Sequence, residues 1–151
     1  MRAVVQRVRQ GRVEVGGQVV GQIGRGLAVL VGVAQHDTQD DARWLAEKIA
    51  GLRIFPDQQG QMNLDVRQIG GQILSVSQFT LYGDVRRGRR PSFGLAASPG
   101  LAEGLWEHFN DELRRELGPV ETGRFRADMD LHLLNWGPVT LVIDTPRRGE
   151  P

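Results

Sequence analysis

Apolar and polar positions alternate from the first residues of the chain. Residues 2–8 are rich in valine, Val13 and Val15 resume the alternation, and Gly16-Gly17 predicts a tight turn. Val19 to Ile23 then reads as the return strand of a hairpin. Residues 26–34 form a continuous apolar run, the pattern of a strand buried on both faces. The period then changes. Ala42, Leu45, Ala46, Ile49 and Ala50 keep a helical stripe. Asp37 and Thr38 are its N-cap candidates, Asp40 and Asp41 sit in its first turn, and Gly51 can close it. Arg53-Ile54-Phe55 is a short extended piece stopped by Pro56-Asp57, and Gly60 and Gly70-Gly71 punctuate the stretch beyond it. Residues 72–81 predict another strand. A second helix begins at Ser98, with Pro99 in its first position. Leu101, Leu105, Phe109, Leu113 and Leu117 form its ridge, Ala102 and Trp106 back it, and Gly118-Pro119 ends it. Residues 125–145 read as two strands joined near Asn135-Trp136-Gly137-Pro138. The order predicts an α+β fold, with a mixed or largely antiparallel sheet and two main helices packed on it. No repeat or linker interrupts it, so residues 1–145 are expected to form one domain, followed by a short disordered tail, 146–151.

Composition narrows the chemistry. The chain has 151 residues, 40% hydrophobic and 25% charged, which excludes wholesale disorder. It has no cysteine, so a disulfide scaffold, a thiolate metal site and a cysteine nucleophile are excluded. No apolar run approaches the ~18 residues of a membrane span, and the start does not read as a signal peptide, so a cytoplasmic protein is expected. The net charge of +1 is not that of a protein that coats duplex nucleic acid. Of the 19 basic residues only Lys48 is lysine. Codon bias accounts for the general arginine excess; local clusters are where planar forks for phosphate or carboxylate are to be sought.

The usual catalytic signatures are missing. His36, His108 and His132 are scattered without metal-ligand spacing, and His108, beside Glu107 on the second helix, reads as solvent-facing. No nucleophile elbow, phosphate loop or dinucleotide fingerprint appears. Three segments stand out. Ser77-Gln78-Phe79-Thr80 closes an apolar strand, and alternation places Ser77 and Phe79 on one face, Gln78 and Thr80 on the other. Such a strand end presents consecutive N–H groups and a hydroxyl to a carbonyl, or merely satisfies its own backbone. Arg86, Arg87, Arg89 and Arg90 surround Gly88 and precede Pro91-Ser92-Phe93, which suits a phosphate-contacting loop with a stacking ring, or a solvated charge run. Asn135-Trp136-Gly137-Pro138-Val139-Thr140 is either a tight turn or a recognition loop.

Together these segments resemble the D-aminoacyl-tRNA deacylase family of the bacterial and eukaryotic type. Met1-Arg2-Ala3-Val4-Val5-Gln6-Arg7-Val8, Gly21-Gln22-Ile23-Gly24-Arg25-Gly26-Leu27, Arg53-Ile54-Phe55, Met62-Asn63-Leu64 and Thr122-Gly123-Arg124-Phe125 carry the likeness. Ser77-Gln78-Phe79-Thr80 and Gly137-Pro138 are its hallmarks, with Arg90-Pro91-Ser92-Phe93 between them. The resemblance implies a homodimer of rolled, barrel-like sheets with helices outside, working without metal or cofactor. It implies hydrolysis of the ester joining a D-amino acid to the 3′ end of tRNA, and removal of glycine mischarged on alanine tRNA. Gly137 and Pro138 would form a cis dipeptide inserted into the partner's site, binding the α-amino group and excluding an L side chain. Ser77, Gln78, Phe79 and Thr80 would form the catalytic wall, with the Phe79 and Thr80 N–H groups facing the ester carbonyl. The ribose 2′-OH would help activate water, although Thr80 as nucleophile is the competing mechanism. Phe125 and Met129 match positions near the substrate pocket, or pack as ordinary core. The family commonly has an acidic residue where this chain has Trp136. A non-catalytic tRNA-binding module that uses Arg86, Arg87, Arg89 and Arg90 is the alternative, and so is a hydrolase of small D-amino esters.

Overall fold

A computed structural model describes residues 1–147. The expected disordered tail therefore falls largely outside the described residues. The residue before that tail is tied down, because the Thr145 N–H donates to the Met1 carbonyl at 2.9 Å.

The organising element is β1 (Arg2–Val15), a single 14-residue strand. Along one edge it pairs antiparallel first with β3 (Gly26–Gly32), opposite residues 2–8, and then with β2 (Gln18–Ile23), opposite residues 11–15. Along the other edge it pairs with β8 (Asp130–Asp144) over almost its whole length. β3 also pairs in parallel with β6 (Gln72–Ser77), and β6 in parallel with β7 (Glu121–Thr122). Parallel neighbours need long crossovers. The first carries α1 (Gln39–Ala50) and the small hairpin of β4 (Phe55–Pro56) and β5 (Met62–Leu64); the second carries α2 (Pro99–Leu117). The sheet is therefore mixed. It rolls nearly closed because β2 crosses close over β7: a Cβ added to Gly21 would lie 2.6 Å from the Thr122 carbonyl oxygen.

β3 is buried on both sides, as its unbroken apolar run predicts. Leu27, Val29 and Val31 join α1 and α2 in the larger core, around Leu45, Ile49, Phe109 and Leu113. Ala28 and Leu30 face the inside of the roll with Val8, Val13, Ile23, Leu74 and Val76. The predicted stripe of α1 is its buried face. Of the two N-cap candidates Thr38 takes the position, and its N–H donates to Asp41 Oδ2 at 2.8 Å. Asp37 instead accepts from the Ala34 N–H at 2.6 Å and pairs with the Met1 ammonium at 2.8 Å. His108 is not free in solvent; it is half-buried, 3.6 Å from the buried Glu112 carboxylate.

Two expectations need correction. Residues 72–81 are not one strand. β6 ends at Ser77, and Phe79–Tyr82 is a 3-10 turn, so alternation does not govern residues 78–80. The chain turns because the Gln78 N–H makes the last ladder bond, to Val31 O at 2.7 Å, after which Leu81 and Gly83 donate back to Gln78 and Thr80. Nor are residues 125–145 two strands joined by a turn. β8 runs in one direction through Asn135-Trp136-Gly137-Pro138, and both of its halves pair with β1. Gln6 faces Thr140 and Val8 faces Asn135, so four residues of β8 bulge out opposite Arg7 alone.

Candidate active site

The 3-10 turn after β6 is the first part of the site. Its opening amides, on Phe79 and Thr80, take no hydrogen-bond partner among the described residues, as expected for the first donors of a helical turn. Thr80 Oγ1 accepts from the Gln78 side-chain amide. Ser77 and Gln78 are half-buried, Phe79 and Thr80 exposed. The Phe79 ring meets Phe93 edge-on, with centroids 5.0 Å apart. Two free donors and one hydroxyl at an exposed strand end can receive an ester carbonyl and stabilise the negative charge that develops on it. No histidine or carboxylate hydrogen-bonds residues 77–80 among the described residues.

The arginine loop adjoins this turn through Phe93. Asp84 and Ser92 exchange both backbone hydrogen bonds, at 2.7 and 2.9 Å, and close the loop. The four arginines are not equivalent. Arg86 forks onto Asp84, with Nε at 2.9 Å and Nη2 at 2.7 Å, and its own N–H also donates to that carboxylate at 3.0 Å. Arg87, Arg89 and Arg90 are exposed and form no ion pair among the described residues. The Arg86 hydrogen bonds hold the Asp84 carboxyl down at about 2, below its ordinary 3.8. A lowered pKa means that the pair orders the loop fully above the ordinary carboxylate range and is lost as pH falls through about 2. An NMR titration of the Asp84 carboxyl is expected to give that midpoint, and Arg86→Ala to return it toward 3.8.

The β8 bulge is the third part. The Gly137-Pro138 peptide bond is cis. Asn135 braces the loop from within: its Oδ1 accepts from the Val139 N–H at 2.9 Å, and its Nδ2 donates to Thr140 Oγ1 at 2.9 Å. Arg7 braces it from below. This side chain is only 8% exposed. Its Nε donates to the Trp136 carbonyl at 3.0 Å and its Nη1 to the Ile54 carbonyl at 2.7 Å. Burial, then the nearby Arg9 charge, push its pKa below the ordinary arginine value. The Trp136 ring centre lies 4.4 Å from the Arg7 guanidinium and 4.7 Å from that of Arg9, and 6.0 Å from the Phe55 ring. The indole meets these cations through its π system.

The site residues named from sequence do not all converge within one chain. Ser77 pairs with Val31, which pairs with Ala3, whereas the bulge lies opposite Arg7. The two hallmarks are thus four residues apart along the strands, about 13 Å, and three strand spacings of about 4.8 Å apart across them. Phe125 stacks on Trp106 at 6.1 Å against the helix-side core, and Met129 packs inside the roll. One group escaped sequence reading. Glu14 faces Asp130, and Arg12 faces His132, across β1 and β8. Ligand atoms of Glu14, Asp130 and His132 fall within 4.8 Å of one another. Arg12 Nε donates to Glu14 Oε1 at 2.9 Å, and His132 Nε2 lies 3.4 Å from Glu14 Oε2, so protein groups already serve this carboxylate. The signal was cross-strand register, which local spacing does not carry.

A rolled mixed sheet with two helix-bearing crossovers, a free-amide turn at a strand end and a braced Gly-Pro bulge define a small α+β protein. Comparison with known proteins gives the particular kind. The family model for D-Tyr-tRNA(Tyr) deacylase matches residues 4–144, and the chain belongs to that family. It is 56% identical over 149 residues to the D-aminoacyl-tRNA deacylase of Geobacter sulfurreducens, covering 99% of this chain and 98% of that one. It is 58% identical over 145 residues to the Brevibacillus brevis protein of the same name, covering 96% and 100%. Among solved structures it matches the c-Myc DNA Unwinding Element Binding Protein with a TM-score of 0.92 at 41% identity, over 97% of this chain and 100% of that one. A probable eukaryotic D-amino acid tRNA deacylase matches with a TM-score of 0.84 at 20% identity, over 94% and 97%, and shows the fold alone. No helix among the described residues is long and apolar enough to cross a membrane.

Proposed function

We propose that this chain hydrolyses the ester of D-aminoacyl-tRNA, releasing free D-amino acid and tRNA, and removes glycine mischarged on alanine tRNA. The observation that carries this reading is the pair of partnerless N–H groups on Phe79 and Thr80, in a chain whose near-full-length relatives are D-aminoacyl-tRNA deacylases. Water attacks the ester carbonyl carbon, and the carbonyl oxygen gathers charge against the two amides. The C–O bond to the ribose breaks, and the water's proton ends on the ribose oxygen. With no side-chain base hydrogen-bonded to residues 77–80 among the described residues, the neighbouring ribose 2′-OH is the group that helps activate the water. Thr80 Oγ1, held by the Gln78 amide, positions the substrate in this scheme.

Chirality is read by a second copy. Its Gly137-Pro138 bulge is inserted beside the turn, where it binds the α-amino group and leaves no room for an L side chain. The separation of the two hallmarks within one chain supports a homodimer, because one protomer alone leaves the site half-built. Phe125 and Met129 support the pocket from the core, and glycine, lacking a side chain, passes the filter. Arg87, Arg89 and Arg90 meet tRNA phosphates, while Arg86 holds the loop through Asp84. The cytoplasm, where charged tRNA is made, is its place of work, and neither metal nor cofactor takes part.

The test is deacylation of D-Tyr-tRNA and L-Tyr-tRNA side by side, with a chelator present. Loss of the D ester and survival of the L ester is the expected result. Cleavage of neither, with tRNA still bound in a salt-sensitive way, would favour a tRNA-binding module instead. Cleavage of both would remove the chiral role from Gly137 and Pro138.

A further inference from the structure

We propose that Arg2 is a positioning residue for hydrolysis. Its guanidinium holds the carbonyl end of the Phe79–Tyr82 turn and so keeps the Phe79 and Thr80 amides aimed at the substrate. The proposal rests on the deacylase reading of the same site.

The placement comes from register. Arg2 opens β1 directly opposite Gly32, and the turn lies over Gly32: a Cβ there would come within 3.1–3.2 Å of Leu81, Tyr82 and the Gln78 carbonyl. From this position Arg2 Nη1 donates to the Leu81 carbonyl at 3.1 Å, across 79 positions of sequence. The guanidinium carbon lies 5.0 Å from the centre of the Tyr82 ring, and Nε donates to Asp144 Oδ1 at 2.7 Å. Of the other carboxylates that act on Tyr82, Asp37 is engaged by the Met1 ammonium and Asp41 by the Thr38 N–H.

A helical turn ends in unpartnered carbonyls that carry partial negative charge, and a cation there is favourable. Arg2 supplies that cation, fixed by Asp144 and by the Tyr82 face. The opposite end of the same four-residue turn carries the two free donors. Gln78 at the turn's entry is anchored to Val31, and beyond the exit Gly83 donates to Thr80 and Asp84 pairs with Ser92; Arg2 is the side chain that ties the exit carbonyl of Leu81 back to β1. Amide donors stabilise a developing oxyanion only when held close to its final position, and small displacements are costly. Arg2 touches no substrate atom in this scheme and acts only through the turn.

Three variants test this: Arg2→Ala, Arg2→Lys and Asp144→Asn. The readouts are kcat and KM for D-Tyr-tRNA, melting temperature and hydrogen exchange at the Phe79 and Thr80 amides. Arg2→Ala is expected to lower kcat about fivefold with KM unchanged, and to speed exchange at both amides. Arg2→Lys is expected to recover most of the rate, because an ammonium can still reach the Leu81 carbonyl. Asp144→Asn, which spares that bond, is expected to stay within about twofold. If Arg2→Ala and Asp144→Asn lower the melting temperature alike while kcat and amide exchange stay put, Arg2 is merely structural and the proposal is overturned. If Arg2→Ala does not fold, Arg2→Gln replaces it, and a kcat equal to that of Arg2→Lys overturns the proposal. An unmodified protein that cleaves no D ester sinks the deacylase reading itself. That outcome is distinct, because the exchange comparison still reports whether Arg2 holds the turn.

Discussion

Phe79→Pro is expected to lower kcat for the D ester by about 100- to 1,000-fold, whereas Phe79→Ala loses far less. The two variants separate the amide from the ring. Both remove the aromatic contact with Phe93, but only proline removes the backbone donor. The position tolerates the change. Residue 79 opens the 3-10 turn, so its N–H makes no bond within the fold, and proline suits the first position of a helical turn. The residue before it, Gln78, has φ −139° and ψ 83°, outside the helical region that a following proline disfavours. Single-turnover rates on D-Tyr-tRNA, with circular dichroism to verify folding, give the answer. If proline and alanine at this position have equal rates, the Phe79 N–H does not serve as an oxyanion donor.

Gly137→Ala is expected to reduce the preference for D over L esters by one to two orders of magnitude. Gly137 has φ 130°, which side-chain-bearing residues rarely adopt. An added Cβ would lie 2.9 Å from Val139 Cγ2 and 3.1 Å from both Arg7 Nη2 and the Val139 nitrogen. Arg7 cannot yield cheaply, because it is buried and already spans the Trp136 and Ile54 carbonyls. The loop itself must move. Strain of this kind costs about 1–3 kcal/mol, and each 1.4 kcal/mol is a factor of ten. Competing D- and L-Tyr-tRNA in one reaction measures the ratio directly. An unchanged ratio would mean that residue 137 takes no part in chiral selection.

How much of the fold is legible in the chain depends on the range of the interactions. The buried stripe of α1, the Ser98-Pro99 start of α2 and the two-sided burial of β3 are set by neighbours within a few residues, so periodicity exposes them. The failures are where distant residues decide. Apolar residues continue past Ser77, but strand pairing stops there because the next carbonyl on that edge, Val33 O, accepts from the Ala97 N–H instead. Asn135-Trp136-Gly137-Pro138 has the composition of a hairpin tip. It becomes a bulge because Arg7, 129 positions away, takes the Trp136 carbonyl while both flanks stay on β1. The candidate site divides the same way. Residues 77–80 and Gly137-Pro138 are identifiable as motifs. The free amides on Phe79 and Thr80, the Asp84 hold on Arg86 and the Glu14, Asp130 and His132 grouping require the folded chain.

The β8 bulge also bears on how this specificity element can change over generations. Most recognition loops link two elements, so altering one risks altering how those elements meet. Here the ladder closes on both sides of the insertion, and the protruding residues carry no pairing duty. Within it the Trp136 ring meets Arg7 and Arg9, while Asn135 holds the Val139 N–H from the flank. Residues 136–139 are therefore a portable cassette. Libraries confined to this stretch, built with Arg7, Asn135 and Gly137 retained and residues 136 and 139 kept apolar where they pack on the core, would explore new stereochemical preferences while leaving the ladder intact.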